Sequence, residues 1–240
     1  MDETAQIREV RRIFNRVAPV YDLLNRVLSL REDVRWRRFV ARSLRLPASG
    51  GRVLDVATGT GDLALAVAAR PERPRVTGLD LVPAMLGPAV RKMGKAQKSG
   101  AALSLMAGDA LALPFPAASF DAVTIAFGIR NIPRRVAAMA EMRRVLKPGG
   151  RLHVLEFTTP QHPAVRRLYT RYLRLWLPRL GGLVSGDTAS YQYLADTILH
   201  FPAPADFRAE MAAAGLMAPR SHALTQGIAW VHIAERGLDD

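Results

Sequence analysis

Between Arg52 and Asp62 the chain reads Arg-Val-Leu-Asp-Val-Ala-Thr-Gly-Thr-Gly-Asp, and this stretch constrains the fold more than any other. Val53, Leu54 and Val56 make the short apolar run expected of a parallel strand covered on both faces. Gly59 and Gly61 then break the pattern, and an Ala-rich helical segment follows from Asp62 to Arg70. Strand, glycine turn and helix in that order open a nucleotide-binding βαβ unit. Its glycines let the backbone approach a ligand where a Cβ would collide.

Gly59-x-Gly61-x-x-Ala64 is a short match, and an ordinary strand-to-helix turn capped by Asp55 fits it too. Asp55 narrows the reading. A carboxylate in the strand just before the loop suits the ammonium of a methionine moiety and repels a pyrophosphate. The neighbouring elements have to decide.

Those elements alternate. A second strand, Arg75 to Leu79, ends at Asp80, where a carboxylate can accept from both hydroxyls of a ribose diol. A helix opens at Pro83, proline being tolerated in a first turn. Leu103 to Met106 is a third strand, closed by Gly108-Asp109-Ala110. There Asp109 can accept from an adenine amine, with adjacent backbone for a ring nitrogen, or simply serve a turn. Phe120 to Phe127 is a fourth strand, ending in Gly128-Ile129-Arg130-Asn131. Residues 133–146 are helical and stop at Lys147-Pro148-Gly149-Gly150, and Arg151 to Phe157 is a fifth strand. This alternation predicts a Rossmann-like, doubly wound α/β fold with a mostly parallel sheet. A helix from Ala205 to Ala214 stops at Gly215, and two strands flanking Gln226-Gly227 predict an antiparallel hairpin at the C-terminal edge.

Two regions stand outside the alternation. In residues 1–46, Ile7, Val10, Ile13, Phe14 and Val17 recur at helix spacing against Arg8, Arg11, Arg12 and Arg16, with an interruption at Pro19. This arm either pads the domain edge or closes over a pocket as a lid. Residues 158–200 read as an inserted helical segment. Arg166, Arg167, Arg171 and Arg174 interleave there with Leu168, Tyr169, Tyr172, Leu173, Leu175 and Trp176. Such a helix suits a membrane interface, a cover over an apolar pocket, or its own core. The expected organisation is therefore a lid at 1–46, a cofactor-binding core at 47–157, the insertion at 158–200, and a C-terminal helix and hairpin at 201–240.

Composition bounds the chemistry. The 240 residues contain no Cys, which excludes disulfides, thiolate metal sites and thiol nucleophiles. The polar, acidic start is unlike a secretory signal, and no apolar run is long enough to span a bilayer, so a cytoplasmic protein is expected. The formal charge of +13, carried almost wholly by Arg, suits an anionic partner or is merely surface composition.

The element order resembles class I S-adenosylmethionine-dependent methyltransferases over nearly the whole chain, with the seven-stranded sheet that this implies. Three longer stretches sharpen the resemblance: Tyr21-Asp22-Leu23-Leu24-Asn25-Arg26-Val27-Leu28-Ser29 with Trp36, Ala126-Phe127-Gly128-Ile129-Arg130-Asn131, and Arg144 to Gly150 running to Glu156-Phe157-Thr158. Together they are similar to the ubiquinone/menaquinone biosynthesis C-methyltransferases, the UbiE/MenG family. Departures are Leu24 for the family's usual Met, Thr158 for Ser, Asp33 for His and Ala126 for a cofactor-contacting Ser. No catalytic role is assigned to Asp33, an acid in place of a proton carrier.

The resemblance implies S-adenosyl-L-methionine as cofactor, held by Thr60, Asp80, Asp109 and Ala110, with Asp55 and Gly59 added. It implies C-methylation of a polyprenylated quinol, demethylmenaquinol before the benzoquinol precursor of ubiquinone, with no metal. Arg130, always protonated, would stabilise the phenolate or orient a water base; Asn131 would fix a quinol hydroxyl, and Tyr21 would complete the ring contacts. A lipid-soluble substrate would bring the enzyme to the membrane surface as a peripheral protein at its inner face; oligomeric state, homo-oligomer included, is open. The charge raises a nucleic-acid methyltransferase as a rival. The fourth strand lacks the Asn/Asp-Pro-Pro-aromatic sequence for base amines, and the absence of Cys removes the covalent route to pyrimidine carbon-5, so no nucleic acid is expected. A non-catalytic binder of cofactor or membrane is the remaining rival.

Overall fold

A computed structural model describes residues 3–18, 21–97 and 100–239; the break assigned to Pro19 falls outside them. The alternation of residues 47–157 becomes β1 (Arg52–Val56), α4 (Asp62–Ala68), β2 (Arg75–Asp80), α5 (Pro83–Gln97), β3 (Ala102–Ala107), β4 (Phe120–Ala126), α6 (Arg135–Val145) and β5 (Leu146–Phe157). Helices α1 (Glu3–Val17), α2 (Tyr21–Leu28) and α3 (Glu32–Ser43) precede these elements. Helices α7 (Pro163–Arg171), α8 (Leu177–Ser185) and α9 (Thr188–Leu199), then α10 (Pro204–Ala213), β6 (Met217–Leu224) and β7 (Ala229–Glu235), follow them.

The strands form one seven-stranded sheet in the order β3-β2-β1-β4-β5-β7-β6. The first five neighbours pair in parallel, and β7 runs antiparallel between β5 and β6. The C-terminal hairpin is thus as expected, with its second strand folded inward so that β6 forms the edge. Strand periodicity explains the two layers. Val53 faces a cluster with Trp36 and Val40 of α3 and Leu63 and Val67 of α4. Leu54 and Val56 face Met139 and Met142 of α6 and Phe207 of α10. All three β1 side chains are fully buried, each contributing about 1.5–3 kcal/mol relative to exposure.

The main local departure lies at Lys147–Gly150. Read as a helix stop, it is also the bulged start of β5: Leu146 pairs with Phe120 before the register shifts. Gly149 donates its N–H to the Arg236 carbonyl, and Arg236 returns one to Gly150. Sequence periodicity cannot register pairing with a strand end 87 residues away.

Helix α3 is part of the core. Its Trp36 indole N–H donates to Thr225 Oγ1 at 2.9 Å, and Thr225 donates to Glu32 at 2.8 Å, tying the helix to the turn between β6 and β7. Helices α7 to α9 build their own cluster from Tyr169, Leu173, Leu177, Tyr191, Ala195 and Ile198. A π-helical turn, Tyr172–Trp176, joins α7 to α8; such turns widen a helix and are frequent at functional sites.

Candidate active site

Strand order reverses between β1 and β4, and in open α/β sheets ligands bind beyond the carboxyl ends of the strands at that point. Here the backbone is strained on both sides. Ala57, one residue past β1, has φ +50°, and Phe127, one past β4, has φ +58°, a conformation that costs non-glycine residues energy and clusters at functional sites. Gly128 lies against them: a Cβ there would come within 2.6 Å of the Ala57 Cβ.

Two small pockets flank the loop after β1. The first is lined by Val56, Leu79, Asp80, Val82, Met85, Asp109, Ala110 and Ile132, with Ile7, Val10 and Phe14 of α1 closing it to about 90 Å³. Apolar walls with two carboxylates at the rim match a nucleoside, whose flat base needs apolar cover and whose diol needs acceptors. The second holds Arg37, Asp55, Thr58, Gly59, Thr60 and Asp62, opposite charges suited to the zwitterionic end of an amino acid. Gly59 takes φ +56° between the two, where a side chain would be strained. The residues present therefore fit S-adenosylmethionine.

Asp80 is buried, and its Oδ2 accepts the Gly59 N–H at 2.7 Å while Oδ1 accepts that of Val82 at 2.8 Å. It joins the β2 tip to the glycine loop, and burial raises its pKa. Asp55 accepts from Thr124 and Thr58 hydroxyls, each at 2.6 Å. Burial, opposed by those two bonds, pushes its pKa up to about 6. The Thr60 hydroxyl donates to Asp22 of α2, which also pairs with Lys92, itself paired with Asp62. Asp109 Oδ1 accepts the Leu111 N–H at 2.9 Å, the turn role, while Asp109 and Ala110 both line the nucleoside pocket.

A third cavity, about 1020 Å³, opens beside these two between α1–α3 and α7–α9. Its wall is overwhelmingly apolar, and its head is polar: Tyr21, Asp33, Arg37, Arg130 and Asn131. Tyr21 borders all three spaces, Arg37 the cavity and the charged pocket, and Asn131 and Phe127 the cavity and the nucleoside pocket. Asn131 accepts from the Tyr193 hydroxyl at 3.3 Å. Arg130 is buried. The guanidinium Nη1 donates to Glu156 Oε1 and to the Phe127 carbonyl, both at 2.6 Å, and Nε has no hydrogen-bond partner among the described residues.

All nine residues singled out from the sequence thus border one of these three spaces or the loop between them. Sequence reading missed Glu156, the buried partner of Arg130, and Arg37. Asp33, set aside there, is buried with Arg37 at the cavity head. The i,i+4 spacing of Asp33 and Arg37 was the available signal, and on a helix it reads as an ordinary surface pair.

Fold and pockets together define a class I S-adenosylmethionine-dependent methyltransferase. An S-adenosylmethionine-dependent methyltransferase structure from Thermotoga maritima superposes with a TM-score of 0.64 at 19% identity, covering 94% of this chain and 99% of the other. The model of the ubiE/COQ5 methyltransferase family matches residues 1–236, and the chain belongs to that family. A demethylmenaquinone methyltransferase of Thermus thermophilus is 48% identical over 93% of this chain and all of the relative. The ubiquinone/menaquinone biosynthesis C-methyltransferase UbiE of Syntrophotalea carbinolica is 46% identical, over 96% of this chain and 95% of its own.

Proposed function

We propose that this enzyme transfers the methyl group of S-adenosyl-L-methionine to a ring carbon of a polyprenylated quinol, demethylmenaquinol in particular. The observation that carries the reading is the junction of a large apolar cavity with a nucleoside-shaped pocket at Tyr21, Phe127 and Asn131. A prenyl chain needs the first, and its ring then lies against the second. The naphthoquinol assignment rests on relatives at 48% and 45% identity that carry the demethylmenaquinone methyltransferase name.

In this reading Asp80 accepts from the ribose diol, Asp109 and the Ala110 backbone meet the adenine, and Asp55, Gly59 and Thr60 surround the methionine end. The bound cofactor supplies an electrophilic methyl and the sulfur leaving group. Catalysis by the protein consists of holding the quinol carbon in near-attack contact, about 3–3.5 Å from that methyl, and of stabilising the oxyanion. Asn131 and Tyr21 contact the hydroxyls, and the phenyl rings of Phe127 and Phe157, stacked at 4.4 Å, bound the ring slot. Arg130 acts as a fixed positive charge, since its guanidinium is held by Glu156 and cannot release a proton. Helices α1 and α2 serve as the lid, pinned over the loop by Asp22.

The same reading brings the protein to a membrane surface. Leu30, Leu168, Leu175, Trp176 and Leu180 are exposed and border the cavity, while Arg166, Arg167 and Arg171 line a shallow depression nearby. No helix among the described residues is long and apolar enough to cross a membrane. A basic surface with protruding Trp and Leu is the pattern of interfacial docking.

The test supplies methyl-labelled cofactor with reduced demethylmenaquinone, the reduced benzoquinone precursor or RNA. Label in the naphthoquinol supports the reading. Label in the benzoquinol alone changes the substrate, and label in RNA alone overturns the function.

A further inference from the structure

We propose that the buried Asp33–Arg37 pair couples the two halves of the site: Arg37 receives the carboxylate of the cofactor's methionine end, and Asp33, relieved of that partner, takes the proton of the quinol hydroxyl. The inference rests on the function proposed above and assigns two residues that function does not use.

The geometry is specific. Arg37 lines both the charged pocket beside Asp55 and the head of the apolar cavity. Its guanidinium lies 5.2 Å from the Phe127 ring centroid, a cation–π contact. One of its five donors is bonded to Asp33. A planar fork matches a carboxylate bidentately, and among the described residues Arg37 is the one cation lining the charged pocket. Asp55, with both oxygens bonded to threonines, stands across that pocket for the ammonium.

Asp33 is 2% exposed and accepts from Ser29 Oγ at 2.9 Å. It borders the cavity and not the charged pocket. Among the described residues the cavity has one other carboxylate, Glu32, which is partly exposed and bonded to Arg35 and Thr225. When the cofactor carboxylate shares Arg37, the Asp33 oxygen that faced the guanidinium becomes available to accept from a quinol hydroxyl in the cavity that Asp33 borders. The quinol O–H bond then breaks, its proton passes to Asp33, and its electron pair flows through the ring to the carbon that bonds the methyl, whose old bond electrons remain on sulfur. The ring C–H proton leaves to water, and Asp33 returns its proton to the oxygen, so one proton is released per turnover. Binding order follows: cofactor first, quinol second.

Titration calorimetry separates the roles. With wild-type enzyme, S-adenosylhomocysteine should bind more tightly than its decarboxylated analogue. Arg37→Met should weaken S-adenosylhomocysteine about 10- to 100-fold, the range of lost charged hydrogen bonds, and leave the decarboxylated analogue within about twofold. Asp33→Asn should bind S-adenosylhomocysteine at least as tightly as wild type, because the competing anion is gone, while kcat falls about 100-fold or more. Asp33→Glu should recover part of that loss. The double variant D33N/R37M leaves no lone buried charge, folds where a single one fails, and should not distinguish the two ligands. Equal weakening of both ligands by Arg37→Met, or continued discrimination by the double variant, overturns the Arg37 assignment. Unchanged kcat in Asp33→Asn overturns that of Asp33. Should wild type discriminate through Arg37 yet methylate no quinol, the proposed function falls with the Asp33 role, and the Arg37 role stands.

Discussion

Glu156→Ala removes the partner of a buried cation, and its cost follows from the contacts. Glu156 is fully buried, with Oε1 accepting from Arg130 Nη1 at 2.6 Å and Oε2 from the Arg130 backbone N–H at 3.3 Å. Arginine cannot shed its proton to escape the uncompensated charge. Breaking such a pair costs about 3–5 kcal/mol. With a urea dependence of about 3 kcal/mol per molar, the upper end for small proteins, the unfolding midpoint should fall by about 1 to 2 M. The double variant E156L/R130M replaces both charges with apolar groups and should recover most of that loss, because the penalty lies in the widowed charge. Both variants should lose methyl transfer, since the fixed positive charge is displaced in one and absent in the other. Urea titrations followed by circular dichroism read the stability of all three proteins. A Glu156→Ala midpoint within about 0.3 M of wild type, against the expected cost, would refute the claim that the pair is dry and mutually dependent.

Acid should destabilise the fold through two buried histidines. His153 and His232 are fully buried, and desolvation pushes both pKa values down to about 3. An unfolded histidine titrates near 6.5, so the unfolded state binds more protons below that pH and stability drains as pH falls from about 6.5 toward 3. Each residue contributes up to about 1.4 kcal/mol per pH unit, and His153→Phe should flatten the acid limb of a Tm-versus-pH curve by that share. Asp55, with its pKa near 6, should release a proton when a ligand ammonium arrives; calorimetry of S-adenosylhomocysteine near pH 6 in two buffers of different ionisation enthalpy measures it, and Asp55→Asn should abolish the difference. Gly128→Ala should abolish cofactor binding by forcing apart the tips of β1 and β4, where the added Cβ meets Ala57 at 2.6 Å; equilibrium dialysis checks this. Trp176→Ser should weaken cosedimentation with anionic vesicles while leaving S-adenosylhomocysteine affinity unchanged.

The sheet was legible because its strands carry periodicity and its turns carry glycine. Val53, Leu54 and Val56, the glycines at 59 and 61, and the acids at 55 and 80 each state a local conformation or a local charge, and local statements survive folding. Asp80 could be placed at a strand tip because the run Arg75 to Leu79 ends there, whereas its bonds to Gly59 and Val82 arise only in the fold. The site's electrostatics were not legible in the same way. Arg130 finds Glu156 only because β4 and β5 end side by side, 26 positions apart in sequence. Asp33 and Arg37 belong to a basic helix that looked like part of a lid. Tertiary packing alone turns that face toward the pocket, through Trp36 and Val40 in the core beneath β1 and the bond from Trp36 to Thr225. The hairpin was read correctly as a pair, whereas the insertion of β7 between β5 and β6 depends on β5 offering a free edge, which β7 alone cannot declare.

The most direct test of the central claim is where the methyl group goes. Wild-type enzyme, S-adenosylmethionine carrying a carbon-13 methyl, and reduced demethylmenaquinone in detergent should yield one labelled lipid, examined by carbon-13 nuclear magnetic resonance after extraction. The account requires the label on a methyl bonded to the quinone ring carbon, with no labelled methoxy signal. Label on oxygen would show that the site does not direct the ring carbon to the methyl donor, and an unlabelled lipid with cofactor intact would remove the quinol from the site altogether.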